Sequence, residues 1–302
     1  MTNIAPLRVG LVGAGPWAQL FTAPMLAAGP ATTLAGVWAR RHDVAEALAA
    51  KHGSIAIDDV DALIDSCEAI AFAVPPDVQA DIATRAARAG RAVLLEKPIG
   101  MTIAQAEALA DAVGEAGVGS QVVLTNRYLP SMRRFLEDAA GFDAFGGRST
   151  FFGSGAIEGN YFGTPWRLEQ GALLDLGPHA LDAIDAALGP IVAIHASGDS
   201  LTMVAITCEH DGGAVSQVTL SATTAITASG LVVELIGPTG NLVFDTTAGD
   251  AEERSREYRT AMATIAAEFA TVTRDRGGHP LDVRRGLHLQ RWIDAAARQL
   301  SR

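Results

Sequence analysis

The sequence predicts an α/β chain of two domains, the first with a parallel sheet and the second with a largely antiparallel, open sheet. Three observations lead to this prediction. Over residues 1–121, short continuous apolar runs alternate with helix-like segments, which is typical of a parallel sheet covered by helices on both faces. Over residues 122–302, strand-like runs follow one another between flanking helices, which indicates an α+β domain. A length of 302 residues accommodates two domains of ordinary size.

The first domain alternates strands and helices from its start. Strands are predicted at residues 7–12, 34–38, 69–74, 92–95 and 122–124. Helices are predicted at residues 17–28, 44–52, 77–89 and 102–117. In the last of these helices Thr102 is the expected N-cap, and Gln105 three residues later completes a capping box.

The second domain has more strands than helices. Strands are predicted at residues 149–152, 191–196, 201–208, 214–222, 231–236 and 241–244. Helices are predicted at residues 131–140, 172–188, 260–275 and 283–300. Neither alternate face of residues 214–221 is strongly apolar, so we expect one face of this sheet to meet another subunit or substrate.

Composition and charge exclude several classes of partner. Hydrophobic residues make up 49% of the chain and charged residues 19%, as in a well-buried globular protein. A net charge of −11 argues against binding to nucleic acid or to an anionic membrane surface. No apolar stretch has membrane-spanning length, and residues 1–6 lack the basic and apolar regions of a signal peptide. We therefore expect a cytoplasmic protein.

The two cysteines, Cys67 and Cys208, are far apart in the sequence and lie beside apolar runs. This placement predicts buried free thiols in a reducing compartment. The sequence contains no CxxC, HExxH or GxSxG pattern, and we expect no bound metal.

Residues 13–18 (GAGPWA) follow the first strand and open a helix. Glycine permits the tight turn and lets the backbone approach a pyrophosphate, while the helix N-terminus offers N–H groups to the anion. The segment predicts a dinucleotide-binding domain of the Rossmann type, with Gly13, Gly15, Pro16 and Trp17 at the cofactor. An ordinary glycine-rich turn between strand and helix is the alternative.

The end of the second strand bears on the choice of cofactor. Ala39 stands where an acidic residue would bind the 2′-hydroxyl of NAD, and Arg40 and Arg41 follow. Guanidinium groups bind phosphate in a bidentate manner, so the sequence favours NADP(H) over NAD(H). The alternative is a solvated loop, because polar His42 and Asp43 come next.

Four segments together have the order and spacing of a known family. They are the glycine-rich turn, Pro75-Pro76 after the third strand, Glu96-Lys97-Pro98 after the fourth, and residues 171–179 (GALLDLGPH). In these motifs, from about Leu7 to about His179, the chain resembles the Gfo/Idh/MocA oxidoreductases, the group of glucose-fructose oxidoreductase and inositol dehydrogenase. The resemblance implies an NAD(P)-dependent oxidoreductase that acts on a sugar, a polyol or a related hydroxy or keto compound. It also implies homodimers or homotetramers formed through the sheet of the second domain.

The resemblance implies roles for three residues in particular. Lys97 matches a lysine that points between nicotinamide and substrate, and Pro98 is often cis in that motif. Asp175 and His179 match the motif's aspartate and histidine, which at i and i+4 of a helix share one face. His179 would act as general base in oxidation and general acid in reduction, while Lys97 polarises the same oxygen. Asp175 would accept a substrate hydroxyl or orient the pair.

Other positions carry less specific expectations. Pro75 and Glu96 are assigned to the cofactor by their motifs. Arg127 and Trp166 fall where they could contact the substrate, with a structural arginine and a packed surface turn as the alternatives. The chain departs from the family's pattern at Gln79, at a position that is often histidine.

Two further functions remain open on the same scaffold. One is a glycosidase that uses tightly held NAD for transient oxidation, and the other is a regulatory protein that senses dinucleotides without catalysis. Such regulatory relatives commonly lose the lysine or the histidine. The presence of both Lys97 and His179 therefore favours an enzyme.

Overall fold

A computed structural model describes residues 5–226 and 229–300. Most of residues 1–6, which carried the expectation about a signal peptide, lies outside the described residues. The chain divides into two compact units, Met1–Val123 with Met262–His288 and Leu124–Ala261 with Leu289–Arg302. This division groups Met262–His288 with the first unit, and the sequence-based domain assignment of 1–121 and 122–302 stays a prediction.

The first unit contains a five-stranded parallel sheet with the strand order β2-β1-β3-β4-β5. Its strands are β1 (Leu7–Val12), β2 (Thr32–Trp38), β3 (Ala69–Phe72), β4 (Ala92–Leu95) and β5 (Ser120–Val122). Every residue of β3, β4 and β5 is buried, as expected for strands covered on both faces. The predicted parallel sheet is confirmed.

The described helices of the first unit include all those that the sequence predicted and one that it did not. They are a π-helical turn (Ala18–Thr22), α1 (Ala23–Ala27), α2 (His42–Lys51), α3 (Val60–Ser66), α4 (Pro76–Arg88) and α5 (Ile103–Ala116). The predicted capping box of α5 is present, because Thr102 and Gln105 each bond to the other's backbone N–H. Helix α3 was not predicted, although the Asp59 carboxylate caps it by accepting from the N–H groups of Asp61 and Ala62.

The first helix differs from the regular helix that the sequence predicted over residues 17–28. It starts at Pro16 and then contains a π-helical turn, in which the N–H of Ala23 bonds to the Ala18 carbonyl. Pro24 provides the physical reason. It has no N–H to offer the carbonyl of Leu20, and its ring would crowd that carbonyl in an α-helix, so the wider turn relieves both problems.

The second unit contains a six-stranded sheet with the strand order β11-β10-β6-β9-β8-β7. Its strands are β6 (Gly146–Phe152), β7 (Ile191–Asp199), β8 (Met203–His210), β9 (Val215–Ser221), β10 (Gly230–Gly237) and β11 (Gly240–Asp245). Only the β6–β9 pairing is parallel, which confirms the largely antiparallel sheet. On the inner face Leu231, Val233 and Leu235 are fully buried, whereas the outer face exposes Met203 and Val215.

Five α-helices and a 3-10 turn complete the fold of the described residues. They are the 3-10 turn (Thr125–Tyr128), α6 (Pro130–Ala139), α7 (Pro165–Asp175), α8 (Gly177–Leu188), α9 (Ala251–Asp275) and α10 (Val283–Leu300). In the second unit α8 packs against the inner face of the sheet, where the Ile184 side chain lies next to Gly147. Helices α9 and α10 each contribute residues to both units.

The predicted helix over residues 172–188 is interrupted only at Leu176, between α7 and α8, and a bend at Gly171 precedes it. Helix α7 starts earlier, at Pro165, and contains Gly171 in a non-helical conformation with φ 68° and ψ −154°. The carbonyl of Ser200 lies against this glycine and accepts a hydrogen bond from the N–H of Ala172 at 2.8 Å. The chain bends there because the turn between β7 and β8 occupies the space that a regular helix would take.

The two thiols are buried and free, as the sequence predicted. Burial raises the pKa of Cys67 above its usual value and raises that of Cys208 to about 12. Among the described residues, no helix combines the length and the apolar character that crossing a membrane requires.

Substitution of Gly171 by alanine is expected to lower the free energy of unfolding by at least about 2 kcal/mol, because its dihedral angles belong to a region almost restricted to glycine. A Cβ there would also collide with the Ser200 carbonyl. Urea unfolding measures the change. The matched control is Gly114→Ala in α5, where a Cβ meets nothing within 4 Å, and which we expect to stabilise by about 0.5–1 kcal/mol. Equal stability of the two variants would contradict the strain at Gly171.

Candidate active site

The glycine-rich turn after β1 combines one crowded and one open position. Gly13 has φ 120°, and the Ala73 carbonyl lies so close that a Cβ would collide with it. A Cβ on Gly15 would meet nothing within 4 Å. Packing therefore requires glycine at Gly13, whereas at Gly15 the missing side chain leaves the backbone open to approach. A helical segment begins directly after, at Pro16, so an open backbone position precedes a helix N-terminus, and the binding of a pyrophosphate there stays a prediction.

Trp17 connects this turn to the end of β4. Its indole Nε1 donates to the Glu96 carboxylate Oε1 at 2.6 Å. Its ring stacks on Phe21 with centroids 4.7 Å apart and planes 11° apart, which fixes the direction of the N–H. Two residues that the sequence assigned separately to the cofactor thus lie in direct contact.

Lys97 follows Glu96 in the turn after β4. The Lys97–Pro98 peptide bond is cis, as the resemblance implies. The backbone of this turn is hydrogen-bonded to the side chain of Gln79 from α4, a contact that sequence reasoning did not predict. A signal for it exists in the sequence, because Gln79 is the polar residue on the otherwise apolar face of α4.

The other residues assigned to the cofactor, Pro75, Arg40 and Arg41, lie at other strand ends of the same sheet. Pro75 follows β3 and forms the N-cap of α4. Arg40 and Arg41 follow β2 and are exposed, and in the described part of the chain neither guanidinium forms an ion pair. His42, by contrast, lies 2.8 Å from a carboxylate oxygen of Asp58. The two arginines thus present positive charge at the end of β2.

In the second unit Asp175 lies at the end of α7 and is 6% exposed. Arg167 donates to its Oδ2 from Nε at 3.1 Å and also bonds to the Phe162 carbonyl and the Thr164 hydroxyl. The guanidinium stacks over the ring of Trp166, 4.6 Å from its centroid. A buried carboxylate needs such a partner, and Arg167 therefore holds Asp175 in place as a hydrogen-bond acceptor.

His179 lies in the first turn of α8 and is partly exposed, in contrast to its buried neighbours Pro178 and Ala180. Its ring is 5.9 Å from that of Phe151 on β6, at an interplanar angle of 53°. Between Asp175 and His179 the helix passes from α7 to α8 through Leu176, whose φ of −97° and ψ of −29° remain right-handed helical. The four-residue spacing is thus preserved in helical backbone across the junction.

Arg127 forms an ion pair with Asp182, a residue that the sequence analysis did not single out. Its Nη1 donates to both oxygens of Asp182, at 3.0 and 3.1 Å, and the Asp182 side chain is 1% exposed. This pairing joins the 3-10 turn to α8. It favours the structural alternative for Arg127, whose predicted contact with substrate stays a prediction.

Within residues 5–226 and 229–300, no three His, Cys, Asp or Glu side chains group closely enough to hold a metal ion.

Two family models match the chain over most of its length. Residues 7–123 match GFO_IDH_MocA, described as an oxidoreductase family with an NAD-binding Rossmann fold. Residues 146–243 match the GFO/IDH/MocA C-terminal domain. The two matches fall on the two sheets described above.

The individual relatives share about a third of their residues or fewer with this chain over the matched ranges. A dTDP-3,4-didehydro-2,6-dideoxy-α-D-glucose 3-reductase of Actinomadura kijaniata is 33% identical over 118 residues, which cover 38% of this chain and 36% of the relative. An enzyme of the same name from Streptomyces violaceoruber is 28% identical over 259 residues, 80% of this chain and 74% of the relative. A structure of levoglucosan dehydrogenase with NADH and L-sorbose superposes with a TM-score of 0.86 at 20% identity, covering 99% of this chain and 97% of that one. At this identity the last likeness shows the fold alone.

Replacement of Arg167 by methionine is expected to lower the free energy of unfolding by about 3–5 kcal/mol, because it removes the guanidinium that donates to the buried Asp175 carboxylate. Adding Asp175→Asn to this variant should recover part of the loss, and urea unfolding of the double-mutant cycle measures the coupling. The control is Arg256→Met, which removes an exposed contact with Glu252 and should change stability by less than about 0.5 kcal/mol. Additive effects at Arg167 and Asp175 would argue against the pairing.

Proposed function

Because the chain belongs to the Gfo/Idh/MocA family of oxidoreductases, we propose that it transfers a hydride between a nicotinamide dinucleotide and a sugar, a polyol or a related hydroxy or keto compound. One observation carries the proposal. The bond between Trp17 and Glu96 joins the glycine-rich turn to the turn that bears Lys97, at the carboxyl edge of the parallel sheet. Open α/β sheets bind their ligands at this edge.

The substrate class is proposed from the relatives. The names of those described above specify sugar derivatives as substrates or ligands. A sugar-like compound also suits the candidate residues, because an ammonium, a carboxylate and an imidazole are the groups that bind hydroxyl and carbonyl oxygens. We propose a carbohydrate-like small molecule as the substrate.

We propose NADP(H) as the preferred cofactor. Support comes from Arg40 and Arg41, which are exposed at the end of β2 beside Ala39. A 2′-phosphate there would meet two guanidinium groups and no carboxylate from residue 39. Gly13, Gly15, Pro16, Trp17, Pro75 and Glu96 are proposed to bind the remainder of the dinucleotide.

Each candidate catalytic residue has a proposed task. The bound nicotinamide supplies the hydride acceptor or donor. Lys97 donates a hydrogen bond to the reacting oxygen and stabilises negative charge that develops on it. His179 takes the hydroxyl proton during oxidation and returns it during reduction. Asp175, with Arg167 on its Oδ2, accepts a hydrogen bond from a substrate hydroxyl and moves no proton.

The remaining predictions concern substrate contacts and assembly. Trp166 is proposed to contact substrate, since its ring lies beside the guanidinium that holds Asp175. The outer face of the six-stranded sheet, with Met203, Val215 and Val243 about half exposed, is proposed to form a homodimer or homotetramer. The buried thiols and the acidic composition support a cytoplasmic location.

Calorimetric titration with NADPH and NADH tests the cofactor. We expect the Arg40→Ala, Arg41→Ala double variant to bind NADPH at least about tenfold more weakly, since it loses charge-assisted hydrogen bonds to the phosphate. NADH affinity should change little. Arg88→Ala, an exposed arginine of α4, is the control for net charge. Tighter binding of NADH than of NADPH by the wild type would contradict the proposed preference for NADP(H) but not the proposed oxidoreductase activity.

Turnover of levoglucosan and myo-inositol with NADP⁺ or NAD⁺ tests the activity. Lys97→Met and His179→Asn should each lower kcat/KM by about 10²- to 10⁴-fold, the range for lost charge stabilisation or proton transfer. The control is Lys51→Met, a distant exposed lysine. Variants with wild-type turnover would overturn the assigned roles. Hydrolysis of a p-nitrophenyl glycoside without net reduction of the cofactor would identify the glycosidase, and cofactor binding without any turnover would identify the regulatory protein.

A further inference from the structure

The buried side chain of Gln79 is hydrogen-bonded to the backbone of the turn that bears Lys97. Gln79 is 1% exposed and lies in α4. Its Nε2 donates to the carbonyl of Glu96 at 2.7 Å and to that of Pro98 at 3.2 Å. Its Oε1 accepts from the N–H of Glu96 at 2.8 Å. Both donors of the carboxamide and one lone pair of its oxygen are therefore used, all of them on backbone groups of this turn.

These backbone groups need partners because the sheet stops before them. Strand β4 ends at Leu95, so the N–H and C=O of Glu96 and the C=O of Pro98 follow its last ladder position. Backbone groups buried without a partner are costly and rare. A carboxamide offers the same donor and acceptor as a peptide group, and Gln79 thus takes the place of a neighbouring strand at this point.

We propose that Gln79 is the positioning residue of Lys97. The proposal rests on the proposed function, which gives Lys97 its role in the reaction. Gln79 fixes the residue before Lys97 at two backbone atoms and the residue after it at one, so the Cα of Lys97 is bracketed. Trp17 fixes the Glu96 side chain in addition. Because a displacement of about 1 Å can lower a rate by roughly 10²-fold, this support bears directly on catalysis.

The chemistry of the carboxamide predicts what each substitution does. Methionine has a similar length and no comparable polar group, so Gln79→Met removes three hydrogen bonds to the backbone of the turn. An ionised glutamate would direct a carboxylate oxygen at two carbonyl oxygens, whereas a protonated one regains one donor and one acceptor. The kcat of Gln79→Glu should therefore be lowered at neutral pH and should rise toward the wild-type value at acid pH.

The two lysines of the chain, Lys51 and Lys97, make a direct test possible. Selective labelling with ¹³Cε-lysine gives two NMR signals, and Lys51 in α2 serves as the internal reference. We expect Gln79→Met to shift or broaden the Lys97 signal and to leave Lys51 unchanged, with and without added NADP⁺. The matched control is Thr84→Val. The Thr84 hydroxyl lies in the same helix and donates to the Ala80 carbonyl, not to the turn.

Kinetics provide the second readout. In Gln79→Met we expect kcat to fall by about 10- to 100-fold while KM changes by less than about threefold, since the reacting geometry is altered more than substrate binding. In Gln79→Glu the loss of kcat relative to the wild type at the same pH should diminish toward acid pH, because a protonated carboxyl group regains one donor and one acceptor. If Gln79→Met does not fold, Gln79→Glu, measured at neutral and at acid pH, replaces it.

The outcomes separate this proposal from the proposed function. An unchanged Lys97 signal in both Gln79 variants, or a kcat within twofold of wild type, would overturn the positioning role even if the wild type is active. If the wild type turns over no sugar with either cofactor, the proposed function fails, and the proposal that rests on it falls too. The Lys97 signal would then decide only whether Gln79 holds the turn.

Discussion

The close approach of Gly13 to the Ala73 carbonyl is the constraint on which the carboxyl edge of the first sheet depends. Strands β1, β3 and β4 run in the same direction, so the turns that follow them compete for space at one edge. A glycine without a side chain lets the first turn lie against the end of β3. The following helix then starts where Trp17 reaches Glu96 beyond β4. A larger residue at the turn would displace the helix and separate this pair.

The buried charge pairs of the second unit perform a comparable task for α7 and α8. Arg127 joins the 3-10 turn to Asp182, and Arg167 joins the segment before Gly171 to Asp175. In both pairs the carboxylate is nearly inaccessible, so the loss of the arginine costs more than the pair itself contributes. Polar interactions therefore tie α7 and α8 to the segments that precede them, while apolar packing against the sheet keeps α8 in place.

The sequence allowed most of the fold to be predicted, because a buried parallel strand is a continuous apolar run and the capping box of α5 is local. It allowed the candidate residues to be named but not their partners. Gln79 and Glu96 are 17 residues apart, and Arg127 and Asp182 are 55 apart, distances at which periodicity carries no information. The π-helical turn and the bend at Gly171 were missed because they are caused by Pro24 and by the Ser200 carbonyl, and no pattern of hydrophobicity reports either of these.

The two buried thiols have a practical consequence. With a pKa of about 12, Cys208 holds only roughly one thiolate in 10⁵ at neutral pH, and Cys67 is likewise buried. Maleimide reagents therefore find little to attack in the native chain. A cysteine introduced on the surface would be the preferred site of modification without removal of the native ones. One such cysteine in each compact unit would carry a pair of fluorophores, and the distance between them could be followed as ligands are added.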